Sequence, residues 1–398
     1  MIAISEETIT IEGDLGEIQA LEPLKIDIAP LTVFIGAQGT GKSLISQFLY
    51  FFRDSEYLLT KNYEQKTPEA SVRNIINDIR SGQREGRSLT SFINSDTVSI
   101  SYSQKSKNEQ IKKQRIGLYK KGDKINPLEP FKREIDKIFK EIVVDLSVLG
   151  NIQQKALFIP AERILISHFI NSKISTLVSP ELPLTMREFA TVLSNKITNN
   201  HILWNDQKNQ KSEDVKKIDD FVSNSLGGKA IAEQEGASYG RKWKWSIDGK
   251  KSVEMEMLSS GQMGTWPLIA TAQALLSWDE KQRPVFIHIE EPEIHLHPSA
   301  QIAIIKTLAY LVNHGFRIII TTHSLFLLYA INNLILAYQQ LEPKEIKNFP
   351  EVEVRLNPDD VSAYCFGEGT ITKIIDDSGQ IDDSLLGRVL GNLEKAIA

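Results

Sequence analysis

The chain has 398 residues, a formal net charge of -5 and 24% charged residues, as expected of a soluble protein with one large domain or two smaller ones. No stretch reaches the roughly 18 uninterrupted apolar residues of a membrane span, and the amino terminus lacks the pattern of a signal peptide. Cys365 is the only cysteine, which excludes an internal disulfide and a cysteine-rich zinc site. These features predict a cytoplasmic protein without a membrane partner.

The first strongly patterned segment lies near the amino terminus. Short β-type runs within residues 1–30 predict a small antiparallel sheet, and the apolar run Leu31–Ile35 predicts a buried strand. Helical apolar spacing follows from residue 42 to residue 52. The turn between strand and helix consists of Gly36, Ala37, Gln38, Gly39, Thr40, Gly41, Lys42 and Ser43, which matches the phosphate-binding P-loop pattern.

Each residue type in this turn suits a bound nucleotide. The glycines allow backbone N–H groups to turn inward around phosphates, and the start of the helix adds the positive end of its dipole. Lys42 is expected to reach the β- and γ-phosphates, and Ser43 is expected to offer its hydroxyl to Mg²⁺. The pattern therefore predicts that ATP and Mg²⁺ bind here.

The interval 61–240 gives a weaker signal and is predicted to be a mainly helical insertion. It lacks the sustained heptad repeat of a long coiled coil. Basic residues are concentrated between 103 and 124, where a nucleic-acid contact and a solvated insertion tip both remain open. The basic residues are Lys105, Lys107, Lys112, Lys113, Arg115, Lys120, Lys121 and Lys124.

Three further segments follow in the carboxy-terminal part. Leu258–Gln262 reads Leu-Ser-Ser-Gly-Gln and opens a predicted helix, where small residues can build an anion site. The apolar run Val285–Ile289 predicts a strand that ends at Glu290 and Glu291. The segment RIIITTHSLFLL, from Arg317, predicts a second buried strand that ends in Thr322 and His323.

The two glutamates complete the chemistry that the P-loop requires. An acid at the end of a strand beside the P-loop can hold Mg²⁺, which assigns Glu290 to the metal. Glu291 can polarise the attacking water, and His323 can contact the γ-phosphate. A transition-metal site at His288, His295 and His297 is the alternative, because a His-x-His pair can chelate a metal.

The order of these motifs resembles the ATP-binding-cassette class of ATPase heads, and Leu258–Gln262 resembles its signature motif. Glu290–Pro298, which reads EEPEIHLHP, resembles the branch that contains the SMC, RecF and OLD (overcoming lysogenization defect) proteins, with the OLD-like ATPases of prokaryotic defence systems closest. Phe158–Arg163 resembles a Pro-Ala-Glu-Arg element of the same proteins. Arg163 is open to three roles: contact with the nucleotide, contact with a partner, or a structural ion pair.

The resemblance implies an α/β fold: a P-loop NTPase with an ABC-type head, a mixed sheet flanked by helices, and an amino-terminal antiparallel β subdomain. It also implies a head-to-tail homodimer or higher homo-oligomer, in which Ser259 and Gly261 of one subunit close on the ATP of the other. Glu290 becomes the magnesium-associated acid, Glu291 the catalytic base and His323 the switch histidine. The expected domains are 1–60 and 241–398 as the two lobes of the head, separated by the insertion 61–240.

Two functions are compatible with this resemblance. The first is an ATPase that acts as a sensor or scaffold for a separately encoded effector, in anti-phage defence or a toxin–antitoxin module. The second is a DNA-associated ATPase like RecF or SMC. The nuclease domain that OLD nucleases carry after the head is expected to be missing, because only about seventy residues follow the predicted His323 helix and the span is too short for it.

Overall fold

The computed structural model describes residues 4–384 except 21, 63–66, 82–88, 109, 145–151, 173, 206–211, 236–239, 248, 250, 341–348, 368 and 383. Its strands are β1 (Ile4–Glu12), β2 (Leu24–Asp27), β3 (Leu31–Gly36), β4 (Thr97–Ser106), β5 (Ile111–Tyr119), β6 (Lys124–Leu128), β7 (Ala156–Ile159), β8 (Lys229–Glu235), β9 (Gly240–Ser246), β10 (Ser252–Glu254), β11 (Phe286–Glu290), β12 (Arg317–Thr322), β13 (Val361–Gly367) and β14 (Thr370–Lys373).

The helices surround these strands. They are α1 (Lys42–Lys61), α2 (Pro68–Ser81), α3 (Phe131–Val144), α4 (Arg163–Phe169), α5 (Ile174–Leu177), α6 (Leu184–Val192), α7 (Thr198–Asn205), α8 (Glu213–Leu226), α9 (Ser260–Ser277), α10 (Pro298–Asn313) and α11 (Leu325–Gln339). No helix in the described part of the chain is long and apolar enough to cross a membrane. The carboxy-terminal helix expected from the sequence lies outside the described residues.

The central sheet has the strand order β14-β13-β3-β12-β11-β7. Its strands from β13 to β7 are parallel, and β14 pairs antiparallel with β13. β3 and β11 are buried along their whole length, as expected of parallel strands covered on both faces. In register, Ile35 of β3 lies opposite Thr322 of β12, and Thr321 lies opposite Glu290 of β11. The carboxyl ends of β3, β12 and β11 therefore meet at one edge of the sheet.

An antiparallel sheet of order β2-β1-β4-β5-β6 packs on the other side of α1. The predicted antiparallel sheet near the amino terminus is thus present, but three of its strands come from the interval expected to be a mainly helical insertion. The same interval supplies β7 to the central sheet and β8 to a small sheet of order β10-β9-β8. The alternation of buried and exposed residues in β4 and β5 is the period-2 signal of strands with one solvated face. The interval therefore contributes strands to all three sheets and is not a separate helical unit.

A buried ionic cluster joins the two main sheets. Glu7 of β1 accepts hydrogen bonds from Arg53 Nε at 2.7 Å, from Arg53 Nη2 at 3.0 Å and from the Tyr102 hydroxyl at 2.8 Å. Arg317, at the start of β12, also donates to Glu7 at 3.2 Å. Arg53 Nη1 lies 3.0 Å from Nε2 of His288, which belongs to β11. One carboxylate thus holds β1, α1 and β12 together, and Arg53 extends the link to β11.

The charge of Glu7 is stabilised in the folded protein. Burial raises the pKa of this carboxyl, but the attraction and hydrogen bonds of Arg53, together with Arg317 and Tyr102, outweigh burial and leave the pKa below its usual value. A carboxyl whose folded pKa is lowered contributes stability above its unfolded pKa and loses it as pH falls through the folded pKa. Glu7 therefore stabilises the fold at neutral pH and ceases to do so in acid.

We expect Glu7→Gln to lower the free energy of unfolding by about 3–5 kcal/mol, because it leaves two buried guanidinium groups without their counter-charge. The matched control is Glu12→Gln, which removes the half-exposed pair with Arg115 and should cost only about 0–1 kcal/mol. Urea unfolding at neutral pH measures both variants. A loss for Glu7→Gln no larger than for Glu12→Gln would contradict the role assigned to the cluster.

Candidate nucleotide site

The P-loop (residues 36–43) lies between the end of β3 and the start of α1, as its sequence predicts. Gly36 has a φ of 150°, and a Cβ atom there would lie 2.1 Å from the carbonyl oxygen of Phe366 on β13. Gly41 has a φ of 98° and caps α1, with Ile18 packed 2.9 Å from where its Cβ would lie. These two positions require glycine because the backbone conformation and the close neighbours leave no room for a side chain.

The remaining P-loop residues form the outward part of the turn. Ala37, Gln38 and Gly39 are exposed, and Thr40 closes the turn by donating its hydroxyl to the carbonyl of Ala37 at 2.8 Å. Ser43 is exposed on the first turn of α1. The loop therefore presents a run of accessible backbone groups beside the start of a long helix, where partial positive charge favours an anion.

The Lys42 ammonium lies inside this loop. Nζ donates to the carbonyl oxygens of Gly36 at 2.8 Å and of Ala37 at 2.7 Å. Burial lowers the pKa of Lys42 to about 8, and the charges of Glu291 and Glu293 oppose that shift. The ammonium is consequently a positive charge poorly solvated by water, so an anionic ligand in the loop would be attracted to it.

Glu290 ends β11 at the same sheet edge and is buried. Burial raises the pKa of Glu290 to about 7, the charge of Glu162 adds to this, and hydrogen bonding with the Ser43 hydroxyl and the Ala161 amide opposes it. Glu290 Oε1 is buried and receives no hydrogen bond from any described residue. A buried carboxylate oxygen without a partner beside a hydroxyl fits a hard divalent cation, which prefers oxygen ligands. Ser43 and Glu290 are the two side chains that could hold Mg²⁺.

Glu291 and His323 face each other at the half-exposed mouth of this edge. His323 Nε2 lies 3.4 Å from Glu291 Oε1, and each side chain is about one-third exposed, at 37% and 35%. Glu291 has a φ of 42°, an unusual backbone conformation for a residue with a side chain. Its N–H donates to the Thr321 carbonyl at 2.8 Å. The first residue after β11 and the first after β12 are thus brought together.

Glu293 has a structural role that the sequence did not reveal. One of its oxygens accepts hydrogen bonds from the Thr322 hydroxyl at 2.5 Å and from the His323 N–H at 2.9 Å. Its other oxygen is buried, and no described residue donates to it. Glu293 therefore fixes the chain where β12 ends and so sets the position of His323. The sequence offered one indication of this role, which is that Glu293 lies three residues after β11 and close to two other acids.

The predicted signature segment begins α9. Ser259 is the helix N-cap and forms a capping box with Gln262, in which each side chain bonds to the backbone of the other residue. Gln262 also donates to the Leu226 carbonyl at 2.8 Å. Gly261 lies against the 290–297 loop, since a Cβ there would be 2.7 Å from the His295 carbonyl oxygen. Within the described residues, no hydrogen bond joins Ser259 or Gly261 to the P-loop of the same chain.

The three histidines of the alternative metal site have separate roles. His288 is buried under α1, where Nδ1 lies 3.1 Å from the Ser46 hydroxyl. His297 caps α10 by accepting from the Ser299 N–H at 3.3 Å. His295 is exposed on the loop between them. No group of three or more metal-ligating side chains that could hold an ion forms within the described part of the chain.

The basic residues between 103 and 124 lie along β4, β5 and their turns. Two of them are engaged in contacts within the protein. Lys112 donates to the Phe52 carbonyl at 3.0 Å, and Arg115 pairs with Glu12 at 2.7 Å. Lys120 and Lys121 are exposed at the turn before β6. The positive charge available to a partner is therefore concentrated at the tips of the β-sheet.

The comparisons with known proteins bear on the family and the fold of this chain. A family model described as "AAA ATPase domain" matches residues 88–328. This chain belongs to the AAA ATPase domain family. No curated protein matches it in sequence.

Solved structures resemble this AAA ATPase domain in fold. An Smc head bound to the C-winged helix domain of ScpA aligns with a TM-score of 0.50 at 12% identity, over 94% of this chain and 97% of the other. An Smc head with an extended coiled coil from Pyrococcus furiosus, bound to the C-terminal domain of ScpA, aligns with a TM-score of 0.48 at 12% identity, over 99% of this chain and 100% of the other. The recombination mediator RecF aligns with a TM-score of 0.39 at 13% identity, covering 94% and 98% of the two chains. The family match and the Smc head that aligns with a TM-score of 0.50 confirm the predicted ABC-type α/β head as a fold.

Proposed function

We propose that this AAA ATPase domain binds ATP with Mg²⁺ in the P-loop and hydrolyses the ATP. The observation that carries the proposal is the convergence of the Lys42 ammonium, the Glu290 carboxylate and the Glu291–His323 pair at one edge of the central sheet. The three strand ends that deliver these groups come from distant parts of the sequence. A phosphate ligand, a divalent cation and a proton acceptor are all accommodated within this single edge.

Each group has a distinct task in the proposed reaction. Lys42 and the loop amides bind the phosphate oxygens, and Ser43 and Glu290 hold Mg²⁺, which neutralises phosphate charge when it is bound. Glu291 is placed to accept a proton from the attacking water, since its carboxylate is accessible and lies beside His323. His323 contacts the γ-phosphate from the end of β12, at a position that Glu293 fixes.

Dimerisation around ATP is the second part of the proposal. Ser259 and Ser260 are exposed at the start of α9, and their hydroxyls lie at a helix amino terminus, where an anion is favoured. The resemblance of Leu258–Gln262 to the ABC signature motif supports a head-to-tail arrangement, in which this segment meets the ATP of a second subunit. The resemblance of Glu290–Pro298 to OLD-like ATPases supports a sensor or scaffold that controls a separate effector in anti-phage defence or a toxin–antitoxin module.

A pair of variants tests the ATPase assignment. Lys42→Ala should weaken ATP binding by at least about 100-fold, because the loop loses its only ammonium and charge-assisted bonds to phosphate are strong. Glu291→Gln should keep ATP affinity but lower turnover by about 10²–10⁴-fold, since an amide cannot accept the proton. Isothermal titration and phosphate release measure both variants. Near-wild-type ATP affinity in Lys42→Ala would remove the P-loop assignment, and near-wild-type turnover in Glu291→Gln would remove the base.

A mixing experiment tests the dimer. Ser259→Arg places a bulky side chain where the γ-phosphate has to approach, so it should stop turnover while each subunit still binds ATP. Mixed with Lys42→Ala, it forms heterodimers with one intact composite site, and activity should partly return. The control is Gln282→Arg in the exposed turn before β11, at the far end of α9 from Ser259, which should be active alone. Sizing of Glu291→Gln with ATP should show a dimer or larger species, whereas a monomer with activity unchanged on dilution would contradict head-to-tail assembly.

The second candidate function is a DNA-associated ATPase like RecF or SMC, which the exposed Lys120 and Lys121 favour. Anisotropy of a labelled duplex with ATP, at two salt concentrations, separates the candidates. The effector-control function predicts no ATP-dependent DNA binding. The DNA-associated function predicts DNA binding that requires ATP and weakens steeply as the salt concentration rises. The double variant Lys120→Ala, Lys121→Ala should then bind DNA with a smaller salt dependence.

A further inference from the structure

One buried arginine connects three segments around the proposed site. Arg163 is the first residue of α4 and is fully buried. Its Nε donates to the carbonyl oxygen of Gly264 on α9 at 2.6 Å. Nη1 donates to the backbone carbonyl oxygens of Pro160 at 3.0 Å and of Glu290 at 2.7 Å. Nη2 donates to the backbone carbonyl oxygen of Glu291 at 2.8 Å. The side chain therefore links the end of β7, the end of β11 and α9 through their backbone carbonyls.

These contacts match none of the three roles that the sequence left open for Arg163. The guanidinium is not accessible to a nucleotide or a partner subunit, and its hydrogen bonds go to carbonyl oxygens rather than to a carboxylate. Burial lowers the pKa of Arg163 to about 10, with the charges of Glu293, Glu291 and Glu290 opposing the shift. The group is still protonated at neutral pH, so all four bonds are charge-assisted and stronger than neutral ones.

Glu291 depends on this arrangement for its backbone conformation. Its φ of 42° lies in the left-handed region, which is unfavourable for a residue with a Cβ and persists where surrounding contacts enforce it. The Thr321 carbonyl holds its N–H, and Arg163 holds its carbonyl. Both sides of the residue are thus fixed, and the carboxylate is directed toward His323.

The same guanidinium also fixes α9 against the 290–297 loop. Besides the bond to Gly264, the Ser167 hydroxyl donates to the Met263 carbonyl at 2.5 Å. A Cβ at Gly264 would lie only 3.4 Å from Ile294, so the helix and the loop are in close contact. A displacement of α9 would consequently be transmitted to the carbonyl of Glu291 through the Arg163 side chain as well as through the direct contact with the loop.

We propose that Arg163 is a positioning residue that holds the backbone of Glu291 in its productive conformation and couples it to α9. The inference rests on the proposed ATPase function, in which Glu291 is the base and the start of α9 meets a neighbouring nucleotide. Turnover then depends on the position of α9, so closure of a dimer on ATP can adjust the base that acts in the same subunit. Arg163 does not itself touch the reacting atoms.

The test compares Arg163→Lys with Arg283→Lys. Arg283 is a matched control, because it is also buried and also donates to backbone carbonyls, those of Leu275 near the carboxyl end of α9 and of His314 just after α10. Arg283 itself precedes β11, so it lies at the end of that strand opposite to Glu290. Arg163→Lys should lower kcat for Mg²⁺·ATP by about 100-fold and leave ATP affinity within about threefold, since displacing a catalytic group by about 1 Å has effects of this size. Arg283→Lys should leave both within about threefold.

A double variant separates positioning from general damage. In a Glu291→Gln background, Arg163→Lys should change the residual turnover by less than about threefold, because the group that it positions is already gone. An equal loss of turnover in both backgrounds, or near-wild-type turnover in Arg163→Lys alone, would overturn the inference. The turnover of Glu291→Gln alone is measured first. If it is near that of the wild type, the result contradicts Glu291 as the base and does not test the role of Arg163.

Two further measurements do not require that Arg163→Lys be active, and the second does not require that it fold. Amide hydrogen exchange in residues 291–295 should be faster in Arg163→Lys than in Arg283→Lys without any nucleotide; equal exchange would contradict the clamp. If Arg163→Lys does not fold, Gly264→Val serves instead, since its added side chain should push α9 away from Ile294 and stretch the bond to Arg163. It should lower kcat at retained ATP affinity, and unchanged kcat would overturn the proposal.

Discussion

The parallel register of β3, β12 and β11 is the constraint on which the rest of the structure depends. These strands are almost wholly buried, so a shift of register would take buried side chains out of the core. Their carboxyl ends are consequently fixed at one edge, and each is followed by the polar residues of the site. The P-loop follows β3, Glu291 follows β11 and His323 follows β12. The sheet brings the residues of the site together, and contacts such as that of Glu293 with the His323 N–H then fix their positions.

The same burial that stabilises the sheet also sets the charges at its edge. It lowers the pKa of Lys42 to about 8 and raises that of Glu290 to about 7, because water cannot reach either group fully. Both groups therefore interact strongly with a ligand of opposite charge. Deeper in the structure, the cost of burying charge is offset within the protein, since the Glu7 carboxylate and the Arg53 guanidinium pair with each other. Burial thus favours ligand binding at the edge and cohesion in the interior.

Much of this architecture could be predicted from the sequence, and the reasons are local. Short local sequence patterns suffice to predict the P-loop and the two buried strands that end in Glu290 and Thr322. The predicted fold class is confirmed. β4 and β5 were not predicted, because they are polar on one face and because β4 pairs with β1, about ninety residues earlier. The function of the site residues stays a prediction.

The contacts of Arg163 show why the remainder required a structure. Its partners are backbone carbonyls of Pro160, Gly264, Glu290 and Glu291, and any residue type has such a carbonyl. No pattern of side chains could therefore indicate the contact. Glu293 was similarly ambiguous, since acids near a strand end are common and only the fold shows which one holds the His323 segment. Sequence motifs reveal the groups that meet a ligand, whereas the groups that position them emerge from packing.

The most direct test of the central claim is the location of the divalent cation. Crystals grown with Mn²⁺ and a non-hydrolysable ATP analogue, measured at the manganese absorption edge, give an anomalous difference map that locates the metal independently of any mechanism. The account predicts one strong peak between the Ser43 hydroxyl and the Glu290 carboxylate, with the triphosphate in the P-loop beside Lys42. A nucleotide bound elsewhere, or a manganese peak away from Ser43 and Glu290 with the P-loop empty, would contradict it.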